Sequence, residues 1–269
     1  MSTSVLFIGG GQISRALVGG LLAADAQRAI TVIDPNPEAH RWLQDRFASV
    51  ELLASVEHYT CAHQVVILAV KPQLAAAVLP AVAHATHHTT PLYISVMAGV
   101  SLKHLRTWLQ QAPRIARAMP NRPALIGLGV SGLARESLSD DDVELARATL
   151  SAVGPVVLVD HERDIDAVTA ISGSGPAYFF LLLECLERAG TELGLAPEAV
   201  RLLACQTAFG AAAMALRDPI DLAELRAQVT SKGGTTEAAL AVLRAGDFER
   251  LVNRAVKAAQ QRAAELAEG

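Results

Sequence analysis

Val5-Leu6-Phe7-Ile8-Gly9-Gly10-Gly11-Gln12-Ile13-Ser14 decides how the remainder of the 269-residue chain is read. A short apolar run ends in glycines, and residues 14–24 then carry apolar side chains at helical spacing. Strand, glycine turn and helix follow one another in the pattern G-x-G-x-x-S. The first glycine permits the tight turn, and the second lets the backbone approach a pyrophosphate held at the helix N-terminus. Ser14 takes the place of a third glycine and is still small enough for close helix–strand packing. Glycines alone punctuate turns of every kind. The strand before and the helix after favour a dinucleotide-binding turn.

Outward from this turn, short β-branched runs alternate with helical stretches. Strands are expected at 30–34, 65–70, 92–97, 114–119 and 155–159, and a helix over 37–47 starts on Pro37. Residues 65–70 are almost continuously apolar, as in a strand covered on both faces. The alternation predicts an α/β fold, with a Rossmann-type doubly wound sheet over residues 1–160. Asp34 closes the second strand, where an acid accepts from the adenosine ribose hydroxyls and favours NADH. Arg41, one helix further on, is the nearby cation for a 2′-phosphate, the alternative reading being a solvated surface residue.

After residue 160 the strand signals stop. Residues 176–189, 197–216, 222–228 and 237–268, the last broken near Gly246, read as helices, so 161–269 is an all-α domain. Phe179, Phe180, Leu181, Leu182 and Leu183 stand in succession, and a helix apolar around most of its circumference must be covered on more than one side. A domain this small covers it most readily with a second copy, giving a homodimer through the C-terminal helices with a higher oligomer open.

Composition bounds the rest. Although 51% of residues are hydrophobic, no run is expected to cross a bilayer, and a strand starting at Val5 leaves no room for a signal peptide. A cytoplasmic protein without a membrane partner is expected. A net charge of −4, with lysines only at 71, 103, 232 and 257, argues against a nucleic-acid partner. Cys61, Cys185 and Cys205 share no metal spacing and read as reduced, buried thiols. His84, His87 and His88 lie in a Thr-rich stretch read as a solvated loop, and no metal is expected.

Four further segments are more specific than the glycine turn: Leu68-Ala69-Val70-Lys71-Pro72-Gln73, Ala118-Met119-Pro120-Asn121-Arg122-Pro123, Ser172-Gly173-Ser174-Gly175-Pro176-Ala177-Tyr178 and Val229-Thr230-Ser231-Lys232-Gly233-Gly234-Thr235-Thr236. In this order and spacing the chain resembles the pyrroline-5-carboxylate reductases over essentially its whole length. The resemblance implies reduction of 1-pyrroline-5-carboxylate to L-proline by NADPH or NADH. It implies that Gly9, Gly11, Gln12 and Ile13 wrap the pyrophosphate, and that Ala69, Val70, Lys71 and Pro72 flank the ribose and nicotinamide end. Met97 and Ala98 would lie beside the nicotinamide with Asn121 nearby, and Glu162 would neighbour the substrate. Lys232 departs from the proline many members carry. The family uses NADPH more often, against the reading of Asp34, so the choice of cofactor stays open.

The last segment makes sense from its residues alone. Two glycines free the backbone before Thr235 and Thr236 open a helix, whose first N–H groups can take a substrate carboxylate. Gly234, Thr235 and Thr236 are the expected substrate-binding residues, with the Thr236 hydroxyl as the catalytic group meeting the ring nitrogen. The plain alternative is that the threonines only cap the helix. Ser172–Gly175 reads either as part of the site or as a tight lead into a helix starting at Pro176. Other readings are a related two-domain β-hydroxy acid dehydrogenase, an imine reductase, or a cofactor-binding sensor without turnover. The dehydrogenase needs a base, commonly a lysine early in its second domain, and residues 161–190 contain none.

Overall fold

A computed structural model describes residues 3–59 and 61–268. Its contacts divide the chain into two compact units, Met1–Pro176 with Ala258–Gly269, and Ala177–Lys257.

The first unit is built on strands β1 (Val5–Ile8), β2 (Ile30–Ile33), β3 (Glu51–Leu53), β4 (Val65–Leu68), β5 (Leu92–Ser95), β6 (Ile115–Met119), β7 (Ser131–Ala134) and β8 (Val156–Val159). They form one sheet in the order β3-β2-β1-β4-β5-β6-β7-β8. All pairings are parallel except β6 with β7. Strand order reverses between β1 and β4, and the crevice beyond the carboxyl ends of strands at such a point is where ligands bind in open α/β sheets.

Helices α1 (Gln12–Ala24), α2 (Pro37–Gln44), α3 (Pro72–Thr86), α4 (Leu102–Trp108), α5 (Asp140–Leu150) and α6 (Asp164–Val168) complete this unit's main connections. Side-chain alternation along the strands supplies two core layers. Val5, Phe7, Val65 and Ile67 meet Leu17, Val18 and Leu21 of α1 on one face. Leu6, Ile8, Val66 and Leu68 meet Ala75, Leu79 and Val82 of α3 on the other. A strand buried on both faces has no polar side, which is why 65–70 reads as an unbroken apolar run.

The second unit is helical: α7 (Gly175–Glu192), α8 (Pro197–Arg217), α9 (Leu222–Gln228), α10 (Thr235–Ala245) and the first part of α11 (Phe248–Glu268). Gly190 permits the α7–α8 approach, since a Cβ there would stand 2.5 Å from Val200 Cγ1. Within this single unit little else is covered: Phe179, Phe180, Leu181 and Phe209 are each more than half exposed.

Several expectations need correction. The structural division falls at Pro176, and the chain's last residues rejoin the first unit. The helix expected from Pro176 is α7, starting at Gly175, but α6 and a π-helical turn over Thr169–Gly173 precede it, so that the helical run extends over Asp164–Glu192. Its first part belongs with the sheet because Ile165 is buried and Val168 fits over Gly132 of β7, where a Cβ would meet Val168 Cγ1 at 2.6 Å. That helix, with mean hydropathy 1.2, and α8, with 1.5, are both long and apolar enough to cross a membrane by length and composition, contrary to the expectation from sequence. Cys61, Cys185 and Cys205 are free and exposed, two of them on the uncovered helices. His84 lies inside α3, which continues past Pro80, and not in a loop.

Candidate functional site

The residues expected to hold the cofactor lie in the first unit. Gly9 has φ +103, and a Cβ there would stand 2.6 Å from the carbonyl oxygen of Ala69. Only glycine fits this close crossing of the loops that leave β1 and β4. Gly11 is different. It has φ −70, and a Cβ added to it would meet nothing within 4 Å. The protein itself gives Gly11 no reason to be glycine, so the open space before α1 is what a missing Cβ preserves. Gly11, Gln12, Ile13, Ser14, Ala69, Val70 and Val96 line a cleft of about 170 Å³ there. This open cradle at the helix N-terminus fits a pyrophosphate.

Neighbouring side chains fix the loop. Ser14 is fully buried and its hydroxyl donates to the Gly9 carbonyl at 2.5 Å, a hydrogen bond beyond the small size expected of it. Asp34 accepts from the Gly10 N–H through Oδ2 (2.6 Å) and from the Asn36 N–H through Oδ1 (2.8 Å). A carboxylate has further lone pairs, so this grip leaves capacity for ribose hydroxyls. Arg15 donates from Nε to the Gly10 carbonyl, and its guanidinium lies over the Trp42 ring at 4.6 Å, with that of Arg46 at 4.4 Å. Arg15 thus sets a cation against the glycine loop, and nothing in its sequence spacing marks it.

Lys71 caps α3 from an extended backbone, and Pro72 takes the first helical turn, where a missing N–H costs nothing. Met97 is buried, and its N–H reaches the Ser95 hydroxyl at 3.4 Å, whereas Ala98 next to it is exposed. Asn121 is almost buried and its amide is engaged at both ends: Nδ2 donates to the Ser172 carbonyl (3.1 Å), and Oδ1 accepts from the Val130 N–H (2.9 Å). It therefore ties the loop after β6 to the Ser172 segment. Glu162 turns inward as well, its Oε1 accepting from the Leu102 N–H (2.6 Å) and from Arg117 Nη1 (3.1 Å). Arg117 also pairs with Asp166 at 3.4 Å. Burial pushes the Asp166 carboxyl up from its ordinary value, against the pull of Arg117. The sequence signal for Arg117 is a lone charge inside the apolar strand Ile115-Ala116-Arg117-Ala118-Met119.

The expected substrate loop lies in the second unit. Gly233 has φ +72, the left-handed region that favours glycine, and its N–H donates to Glu237 Oε2 at 2.7 Å. The N-cap of α10 is Gly234, and no side chain caps the helix. Capping therefore does not explain the threonines. Thr235 is exposed, Thr236 half-buried, and their backbone N–H groups open the first turn of α10.

A dinucleotide cradle on a doubly wound sheet, followed by a helical unit with uncovered apolar faces, defines a two-domain nucleotide-dependent oxidoreductase in class. Comparison with known proteins narrows this. Residues 162–266 match the family model for pyrroline-5-carboxylate reductase dimerisation, and residues 4–99 match that for coenzyme F420-dependent NADP oxidoreductases. The chain is 45% identical to the pyrroline-5-carboxylate reductase of Pseudomonas aeruginosa, covering 100% of this chain and 98% of that one. The structure of the Coxiella burnetii pyrroline-5-carboxylate reductase superposes with a TM-score of 0.92 at 38% identity, covering 99% of each chain. A Plasmodium falciparum pyrroline carboxylate reductase with NADP bound gives 0.84 at 26% identity, covering 98% of each. The chain belongs to the pyrroline-5-carboxylate reductase family.

Proposed function

We propose that this chain reduces 1-pyrroline-5-carboxylate to L-proline, the last step of proline biosynthesis, using NADPH or NADH. The observation that carries this is the 45% identity to the Pseudomonas aeruginosa enzyme across both full lengths. The open cradle at Gly11 supports a bound dinucleotide.

The bound nicotinamide supplies the hydride. Gly9, Gly11, Gln12 and Ile13 would hold the pyrophosphate, Asp34 the adenosine ribose, and Ala69, Val70, Lys71 and Pro72 the other ribose, with Met97 and Ala98 on the nicotinamide side. In the second unit the first N–H groups of α10, with Gly234, Thr235 and Thr236, take the substrate carboxylate. The Thr236 hydroxyl meets the ring nitrogen. A protonated imine already carries positive charge, so its carbon accepts hydride while the C=N electron pair moves onto nitrogen, leaving the secondary amine of proline. No strong general acid is required, and the protein acts by orienting the reactants.

The exposed apolar faces of α7 and α8 are read as the surface of a homodimer and not as bilayer contacts, because residues 162–266 match a dimerisation model. Three free thiols support a reducing, cytoplasmic compartment. Absorbance at the reduced-nicotinamide band, followed with pyrroline-5-carboxylate and either NADPH or NADH, tests the reaction. Absence of oxidation with both would refute it.

A further inference from the structure

Loop 96–101 connects β5 to α4 and carries Met97 and Ala98. It is held at three points by groups that do not belong to it. Where it leaves the sheet, Ser95 is the register partner of Arg117 on β6. In the middle, Gly99 adopts φ +67, and a Cβ there would stand 2.8 Å from Leu266 Cβ near the end of α11. At its far end the Leu102 N–H, which begins α4, donates to Glu162 Oε1 at 2.6 Å, and the same oxygen accepts from Arg117 Nη1 at 3.1 Å. The Arg117 side chain is 3% exposed and that of Glu162 23%. Both partners are therefore largely withdrawn from water, where an ion pair is screened little and holds its geometry. One carboxylate oxygen thus joins the strand beside the loop's start to the backbone at the loop's end.

We propose that Glu162 and Arg117 are positioning residues for hydride transfer: a buried pair that fixes both ends of loop 96–101, and so Met97 and Ala98 against the nicotinamide. Glu162 then influences the reaction through the loop without touching the substrate. This rests on the reading that the loop faces the nicotinamide. The Asp166 carboxylate is the second partner of Arg117 and keeps the guanidinium in place when Glu162 changes.

The test uses Glu162→Ala, Glu162→Gln, Arg117→Met and the Glu162→Ala/Arg117→Met double variant. Each is assayed for kcat, for KM of the imine, for inhibition by ADP-ribose and for melting temperature. ADP-ribose carries the adenosine and pyrophosphate but no nicotinamide. A misplaced nicotinamide lowers kcat of Glu162→Ala by about 10- to 100-fold. The inhibition constant of ADP-ribose and the KM of the imine stay at wild-type values. Glu162→Gln keeps an acceptor for the Leu102 N–H and recovers part of the loss. The double variant is no slower than its slower parent, because the two residues act as one unit. A wild-type kcat in a folded Glu162→Ala, which removes the acceptor for both the Leu102 N–H and Arg117, overturns the inference. So does a loss confined to the KM of the imine, which would make Glu162 a substrate contact. Wild-type turnover is measured first. Its absence removes the functional reading together with the inference, whereas active wild type with kinetically normal variants removes the inference alone.

Discussion

Replacing Gly11 by alanine adds a methyl group that meets no protein atom within 4 Å. Replacing Gly9 adds one 2.6 Å from the Ala69 carbonyl oxygen at φ +103. The two substitutions should therefore separate binding from folding. At Gly11 the backbone already suits alanine. The lower conformational entropy of the unfolded chain stabilises the variant by about 0.4–1 kcal/mol, and the poorer N-cap offsets it by a similar amount. Stability should stay within about 1 kcal/mol of wild type. Cofactor affinity should fall, because overfilling a tight contact costs about 1–3 kcal/mol, or roughly 5- to 160-fold in Kd. At Gly9 the left-handed backbone costs about 1–3 kcal/mol before any contact is counted. At about 2–4 °C per kcal/mol this lowers Tm by roughly 2–12 °C. Fluorescence titration with NADPH and NADH, and thermal melts on the same samples, read both quantities. A folded Gly11→Ala protein with wild-type affinity for both cofactors would refute the cradle. A Gly9→Ala protein melting with the wild type would refute the close crossing.

Thr236→Ala removes a hydroxyl but keeps the backbone donor, and since Gly234 is the N-cap the melting temperature should not fall. A lost hydrogen bond to a charged partner lowers kcat/KM by about 10- to 150-fold, and unchanged steady-state kinetics would remove Thr236 from the site. Asp34→Ser should shift the NADPH-to-NADH ratio of kcat/KM toward NADPH by removing the charge that repels a 2′-phosphate; an unaltered ratio would show that Asp34 serves only the glycine loop. His63, bonded to Tyr59 and Thr31, has its pKa lowered from 6.5, chiefly by burial, with Glu51 opposing. The unfolded chain then binds a proton that the folded one refuses, so stability is full above pH 6.5 and is lost as pH falls through the depressed folded value. Melts from pH 7.5 to about 5 should show Tm falling, less steeply in His63→Gln; equal slopes would place the dependence elsewhere.

The parallel sheet was legible because β1, β2, β4 and β5 are short β-branched runs bounded by turn residues. Two strands escaped detection. β3 is only Glu51-Leu52-Leu53 at the sheet edge, and β7, Ser131-Gly132-Leu133-Ala134, is built of small residues because Val168 occupies the space over Gly132. Of the helical run over Asp164–Glu192 only α7 was legible, since Ser172-Gly173-Ser174-Gly175 reads as a break, whereas α6 and a π turn over Thr169–Gly173 precede it. At the site, the glycine loop was readable because its chemistry is local in sequence. Asn121 and Glu162 were readable only by resemblance, and their bonds join residues 51 and 60 positions apart, which no local pattern encodes.

The two-sided burial of the strands has a consequence for how such a chain can diverge. Every residue of β1, β2, β4 and β5 is buried. A substitution anywhere in them meets a filled layer above or below, and only side chains of similar volume are tolerated, apolar ones or, at Thr31, Tyr93 and Ser95, polar ones whose hydroxyls are hydrogen-bonded. The interior of the sheet is thus closed to chemical experiment by mutation. Novelty is confined to the carboxyl-end loops, where the exposed Gly11, Lys71 and Ala98 can change without disturbing either layer. The same frame can acquire a different substrate while its strands drift only among side chains that refill the same two layers.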